Sequence, residues 1–171
     1  MSIVSRSSIR VEPADPKQKV PQIHISGDPG ALSRLGFVMR VVVSATSTGA
    51  DAESKDPPKS IMVNALLDTG ATQTSIDLKI AKELGLNPIG FIPIGTAGGK
   101  RTSAIYVADV AFPNTGFSPR KTMPVGSCDL SFDPEVGLSS TQNIGALIGR
   151  DILSRWVIVW NGQNANVTIC D

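Results

Sequence analysis

The chain has 171 residues, of which 41% are hydrophobic and 18% are charged, and this length and composition favour one domain with a hydrophobic core. Its 16 Lys and Arg residues nearly balance its 15 Asp and Glu residues, which argues against nucleic acid as a partner. Its 16 Gly and 12 Pro residues predict many turns between short strands and argue against a large helical bundle.

The first 20 residues are expected to form a flexible tail. They include four Ser and two Pro residues and no aromatic residue, so they bury too little apolar area to offset the entropy lost on ordering. We therefore assign the folded domain to residues 21–171.

Runs of β-branched and apolar residues between turn-forming residues predict the strands of this domain. In chain order these runs are residues 20–25, 36–45, 61–67, 91–94, 104–112, 121–125, 146–148, 157–160 and 167–170. The polar segment 48–59 is expected to be an exposed loop, and Asn161-Gly162 is typical of a hairpin turn.

One segment has the spacing of an amphipathic helix. Apolar residues recur at helical intervals within residues 75–84 and Gly85 ends the pattern, so a helix is predicted there with Ser75 as its N-cap. One or two further helical turns are predicted up to Ser154. The predicted fold class is all-β, that is, mainly β with one or two short helices.

Two further features narrow the class of protein. No stretch approaches the ~18 continuous apolar residues of a membrane span, and residues 1–10 lack the apolar core of a secretory signal, so a cytoplasmic location is expected. Cys128 and Cys170 have no ligand-like neighbours, which predicts two thiols rather than a disulfide or a metal site.

The triplet Asp68-Thr69-Gly70 is the candidate catalytic motif. It follows a run of apolar residues, and a carboxylate placed directly after a buried strand is costly unless it has a use. Thr69 can donate and accept hydrogen bonds, and Gly70 permits close backbone approach. The alternative is an ordinary β-turn. The only histidine, His24, is far from this motif in sequence, so no Ser-His or Cys-His site is predicted.

Residues 36–170 resemble the retropepsin-like, or retroviral-type, aspartic proteases, and more closely their single-domain cellular and bacterial members. Three segments carry the resemblance in order. Residues 65–71 (ALLDTGA) are similar to the catalytic strand and loop, residues 94–99 (IGTAGG) to the flap, and residues 146–153 (ALIGRDIL) to the strand behind the loop with the start of the C-terminal helix.

The resemblance implies an acid-protease barrel with one lobe per chain. Because the chain has one Asp-Thr-Gly triplet, the second catalytic carboxylate would come from a second copy, giving a C2 homodimer with Asp68 of each protomer at the axis. The two carboxylates would share a proton and activate water by general acid and base catalysis on a polypeptide substrate, with no metal and no cofactor. The C-terminal strands are expected to offer an apolar edge to the partner.

The resemblance also implies roles for the residues around Asp68. Support of the catalytic loop would come from Thr69, Gly70 and Ala71. The flap that contacts the substrate would contain Ile94, Gly95, Thr96, Ala97, Gly98 and Gly99. Structural support would come from Gly149, Arg150 and Asp151.

One position departs from the retroviral pattern. Retroviral members usually have an acidic residue two positions after the triplet glycine, where it pairs with the arginine, and here that residue is Thr72. The partner of Arg150 is therefore open. Two alternative functions also stay open: a peptide-binding or dimerisation module of the same fold with negligible turnover, and a protease that processes only its own N-terminal tail.

Overall fold

A computed structural model describes residues 10–12, 20–27, 30, 36–46, 57–96, 99–130 and 144–171. Within these residues the chain forms eleven strands and two short helices. The strands are β1 (Arg10–Glu12), β2 (Gln22–Ser26), β3 (Val38–Ala45), β4 (Ser60–Leu67), β5 (Ser75–Asp77), β6 (Gly90–Thr96), β7 (Gly99–Ala111), β8 (Arg120–Cys128), β9 (Ile144–Ile148), β10 (Val157–Asn161) and β11 (Asn166–Cys170). The helices are α1 (Leu78–Glu83) and α2 (Arg150–Leu153).

Six strands close into a barrel, as the resemblance implies. Their order is β3-β4-β9-β5-β8-β7, and β7 pairs with β3 to complete the circle. Strand β6 pairs only with β7 among the described strands, so β6 is not one of the six barrel strands and forms a hairpin with β7. Alternate residues point inward, and Val41, Val43 and Ala65 are fully buried in the barrel core.

A second sheet has the order β1-β2-β11-β10. Strand β11 lies inside this sheet, between β2 and β10, and its Val167 and Ile169 are fully buried. The expectation that both C-terminal strands offer an apolar edge is therefore wrong for β11, because β2, from the N-terminal part of the chain, occupies its outer side. Strand β10 is at the edge of the described sheet, and its Val157 and Val159 are exposed.

The helix predicted at residues 75–84 is shorter than expected. Residues Ser75–Asp77 form strand β5, because Ile76 is fully buried between β8 and β9 and its backbone pairs with those strands. Helix α1 begins at Leu78, and the cap is Asp77, whose Oδ1 accepts a hydrogen bond from the backbone N–H of Lys79 at 2.7 Å. Tertiary pairing has therefore replaced the first helical turn, and Ser75 is not the N-cap.

The predicted C-terminal hairpin lies within the described residues, whereas the predicted tail and loop lie largely outside them. The hairpin of β10 and β11 is confirmed, with Asn161 as the last residue of β10. Of the predicted tail, β1 pairs with β2, whereas residues 1–9 and 13–19 lie outside the described residues. Most of the predicted loop, residues 48–56, also lies outside them. In the part that the structure describes, no helix is long and apolar enough to cross a membrane.

Candidate active site

The Asp68 loop, residues 68–74, leaves the barrel at the end of β4. Strand β4 is held on both sides at this point, since the Leu67 N–H donates to the Phe37 carbonyl oxygen at 2.8 Å and the Asp68 N–H donates to the Ile148 carbonyl oxygen at 3.0 Å. The chain then turns, and the Ala71 N–H donates to the Asp68 carbonyl oxygen at 3.2 Å. The backbone of Asp68 is thus anchored to the barrel while its side chain is half-buried.

The carboxylate of Asp68 is oriented by its own loop. Its Oδ1 accepts hydrogen bonds from the backbone N–H groups of Gly70 at 2.8 Å and Ala71 at 3.2 Å. A Cβ atom at Gly70 would lie 3.1 Å from the same oxygen, so glycine allows the close approach. Within the described residues Oδ2 accepts no hydrogen bond, and this oxygen is left to bind a water molecule or a second carboxyl group.

Arg150 binds the outer side of the Asp68 loop. Its Nη1 donates to the carbonyl oxygens of Thr69 at 2.7 Å and Gly70 at 3.2 Å, and its Nη2 donates to Thr72 Oγ1 at 2.9 Å. Its backbone N–H donates to the Ala71 carbonyl oxygen at 2.9 Å. The partner of Arg150 is therefore the loop itself, with a threonine hydroxyl in place of a carboxylate.

Asp151 and Gly149 bind the inner side of the loop through Thr74. The Asp151 carboxylate accepts hydrogen bonds from the Thr74 backbone N–H at 2.9 and 3.0 Å and from the Thr74 hydroxyl at 2.7 Å. The same hydroxyl accepts the N–H of Gly149 at 3.1 Å, and Thr74 is 1% exposed. The structure thus brings the Asp68 loop together with all three residues of the predicted Gly149-Arg150-Asp151 support.

Gly149 lies where any side chain would strike the loop. A Cβ atom there would lie 2.5 Å from the carbonyl carbon of Gln73 and 2.7 Å from the nitrogen of Thr74. These are backbone atoms, which cannot swing aside as a flexible side chain can. The absence of a side chain at Gly149 is therefore a condition for the loop's position.

The predicted flap is a hairpin of β6 and β7. Ile94, Gly95 and Thr96 of β6 pair with Arg101, Lys100 and Gly99 of β7. Gly99 has a φ of +106°, a conformation that favours glycine. Ala97 and Gly98, at the tip, lie outside the described residues.

The sequence analysis missed the residues that secure the base of this hairpin. Ser103 of β7 and Ser127 of β8 exchange hydrogen bonds: Ser103 Oγ donates to the Ser127 carbonyl oxygen at 2.8 Å and accepts the Ser127 N–H at 3.0 Å. Thr74 was missed as well. Serine and threonine are common in loops and strands alike, so no local pattern singles these three residues out.

Cys128, at the end of β8, lies in a negatively charged and partly buried environment. Burial, together with the negative charges of Asp77, Asp129 and Asp68, raises the pKa of its thiol from 9.0 to about 12. The thiol is therefore protonated at neutral pH and does not act as a nucleophile there. In the described part of the chain, no group of three or more His, Cys, Asp or Glu residues is placed to hold a metal ion.

Two comparisons with known proteins bear on the fold of this chain. The model of an aspartyl protease family matches residues 59–117, which include Asp68. A retropepsin-like aspartic protease from Rickettsia conorii has a similar structure, with a TM-score of 0.53, 14% sequence identity and 95% of each chain covered. No curated protein matches the chain. The resemblance seen in the sequence is confirmed, and the fold is retropepsin-like.

Proposed function

We propose that this chain, whose fold is that of the retropepsin-like aspartic proteases, is an aspartic endopeptidase that acts as a homodimer. The observation that carries the proposal is the hydrogen bonding of the two Asp68 carboxylate oxygens. One of its oxygens is held by two loop N–H groups, and the other accepts no hydrogen bond from the described residues. A carboxylate oriented in this way on a braced loop is prepared for proton transfer.

The proposed mechanism needs two copies of Asp68. The described chain holds a single oriented carboxylate at this site, and a C2 dimer would supply the second from the same position of the partner. Two adjacent carboxylates do not both ionise, so they share one proton. The ionised group takes a proton from water as the water oxygen bonds to the scissile carbonyl carbon, while the protonated group donates to the carbonyl oxygen. The C–N bond of the adduct then breaks, and the amine leaves with a proton from the pair. No covalent intermediate forms.

The loop contacts support this chemistry by limiting movement of Asp68. Catalytic groups lose rate when they shift by about 1 Å. Arg150 binds three acceptors on the Asp68 loop and Asp151 binds Thr74, so both ends of the loop are tied to the start of α2. In this proposal the β6–β7 hairpin is the flap that covers the peptide.

The substitution Asp68→Asn tests the proposal. In a dimer it removes both carboxylates at once with little change in volume, so cleavage of a denatured protein such as casein should fall by a factor of about 10³ or more. Glu83→Gln, at the end of α1, is the control for loss of a carboxylate elsewhere. Equal turnover by Asp68→Asn and the unaltered chain would overturn the proposal.

The unaltered chain and Asp68→Asn also distinguish the two alternative functions, a self-processing protease and a binding or dimerisation module. Intact-mass measurement during incubation reveals loss of the N-terminal segment, and a casein assay in parallel reveals cleavage of other proteins. Mass loss without casein cleavage would favour a self-processing protease. Neither signal, in a sample that sediments as a dimer, would favour a binding or dimerisation module.

A further inference from the structure

The charge on Arg150 has no carboxylate partner in the described part of the chain. The ion pairs there join Arg120 to Asp171 and Lys121 to Asp109. The three hydrogen bonds of the Arg150 guanidinium go to two carbonyl oxygens and a hydroxyl, which are all neutral acceptors. The neighbouring Asp151 carboxylate faces Thr74 instead. Arg150 is exposed, so its positive charge is available to a molecule that binds at the adjacent surface.

Thr72 adds a hydrogen-bond donor at the same point. Its Oγ1 accepts from Arg150 Nη2 at 2.9 Å, and a hydroxyl that accepts from a guanidinium still has its own proton to donate. Thr72 is exposed as well. The next residue, Gln73, is neutral and its amide donates to the Pro124 carbonyl oxygen at 3.1 Å. Thr72 and Arg150 together therefore present donors and positive charge, and Asp68 is the one carboxylate on the loop.

The β6–β7 hairpin carries positive charge too. Lys100 and Arg101 of β7 are exposed, and they pair through the backbone with Gly95 and Ile94. If this hairpin covers the peptide, as the proposed function has it, these two cations add to the positive charge that Arg150 contributes near the Asp68 loop. Asp68 is the only carboxylate on the Asp68 loop, and the described residues of the paired part of this hairpin, 90–96 and 99–105, include no Asp or Glu.

We infer that the substrate of this site is an acidic polypeptide, with a Glu or Asp side chain that binds Arg150 and the Thr72 hydroxyl. The inference rests on the proposed function. Thr72 is four residues from Asp68, so their Cα atoms are at most about 14 Å apart, and an extended peptide covers this length in about four residues. The acidic side chain therefore lies within about four residues of the bond that is cut.

Matched peptides test the inference. Each pair differs by Glu or Gln at one of the four positions on either side of the scissile bond, and kcat/KM is measured for the full chain at about pH 6, where Glu is ionised. We expect the Glu peptide to be cut about 5-fold faster for at least one position, as an exposed charge-assisted contact allows. In about 1 M NaCl this ratio should fall towards one.

Two substitutions of Thr72 test whether Arg150 causes the preference for Glu over Gln peptides. Thr72→Asp places a carboxylate beside the guanidinium and should reduce the Glu-to-Gln ratio to one or below. Thr72→Asn changes the same side chain without adding charge and should keep the ratio above one. Each variant serves as its own reference because the ratio compares two peptides on one protein. If Thr72→Asp does not fold, the salt dependence of the unaltered chain decides.

The outcomes separate the inference from the proposed function. Equal cleavage of Glu and Gln peptides at every position would overturn the acidic preference and leave the protease standing. A ratio that Thr72→Asp leaves unchanged would overturn the role of Arg150. Failure to cut any peptide, or denatured casein, would overturn the proposed function and the inference with it.

Discussion

The Asp151 carboxylate accepts hydrogen bonds from both the backbone N–H and the hydroxyl of Thr74, at 2.9 and 2.7 Å. These two residues are 77 positions apart in the chain. Thr74 ends the Asp68 loop and Asp151 lies in the first turn of α2, so this contact joins the loop that carries Asp68 to the segment that follows β9. The position of Asp68 therefore depends on residues remote from it in sequence.

The substitution Thr74→Val should destabilise the fold and weaken activity together. Valine has a similar shape but lacks the hydroxyl, so the Gly149 N–H loses its acceptor in a buried site. The exposed Asp151 loses one donor but keeps the N–H groups of Thr74 and Ile152. Unsatisfied buried polar groups cost about 1–3 kcal/mol each. Urea unfolding should show a loss of that order. Thr74→Ser keeps the hydroxyl and should retain most of the stability, and a valine variant as stable as the serine variant would contradict this account.

The substitution Gly149→Ala should displace the Asp68 loop. The added Cβ meets the backbone of Gln73 and Thr74 at 2.5–2.8 Å, and such overpacking costs about 1–3 kcal/mol. Because the loop carries Asp68, kcat should fall more than KM rises. Gly27→Ala is the matched control, since a Cβ there meets no atom within 4 Å. Similar unfolding midpoints and similar kcat for the two variants would contradict the steric argument.

The exposed edge of β10 should contribute to dimerisation. Val157 and Val159 are 65% and 58% exposed on an edge strand, and such edges readily pair with other chains. Sedimentation of the unaltered protein should give a species of twice 17.9 kDa at micromolar concentration. Val159→Lys should shift this equilibrium towards the monomer and reduce activity at low concentration.

Met62→Lys is the control for that experiment, because Met62 is equally exposed, at 56%, on β4 of the barrel. It should leave the sedimentation unchanged. A stable monomer for the unaltered chain would contradict the proposal that two copies of the chain supply the two Asp68 carboxylates.

Cys128 should be resistant to alkylation in the folded protein. At pH 8 about 10% of a thiol with a pKa of 9.0 is thiolate, against about 0.01% at a pKa of about 12. Iodoacetamide should therefore modify Cys128 at least about 100-fold more slowly in the native protein than in urea, as followed by peptide mass spectrometry. Equal rates in the two states would show that Cys128 is neither buried nor electrostatically suppressed.

The same pKa shift predicts an effect on stability at alkaline pH. Between about pH 9 and pH 12 the folded protein keeps the Cys128 proton that the unfolded chain releases. The free energy of unfolding therefore falls as the pH rises through this window and is unaffected by Cys128 below it. Cys128→Ala should remove this part of the alkaline decline in denaturant midpoints.

The elements that could be predicted from the sequence are those with local causes. Residues 38–45 and 60–67 form strands because β-branched and apolar side chains favour a pleated, buried backbone. The Asp68-Thr69-Gly70 triplet could be singled out because a carboxylate after an apolar run needs a local use. Its turn, and the glycine that lets Asp68 Oδ1 approach the backbone, are likewise properties of consecutive residues.

The tertiary structure alone decided the features that depend on distant partners. Ser75–Asp77 became a strand because β8 and β9 offer backbone hydrogen bonds on both sides. Strand β11 is interior because β2 pairs along it. Arg150 binds Thr69, Gly70 and Thr72, although the sequence left its partner open. A hydrogen-bonding group accepts whichever partner the fold brings within about 3 Å, and that proximity is set by the packing of the whole barrel rather than by neighbours in sequence.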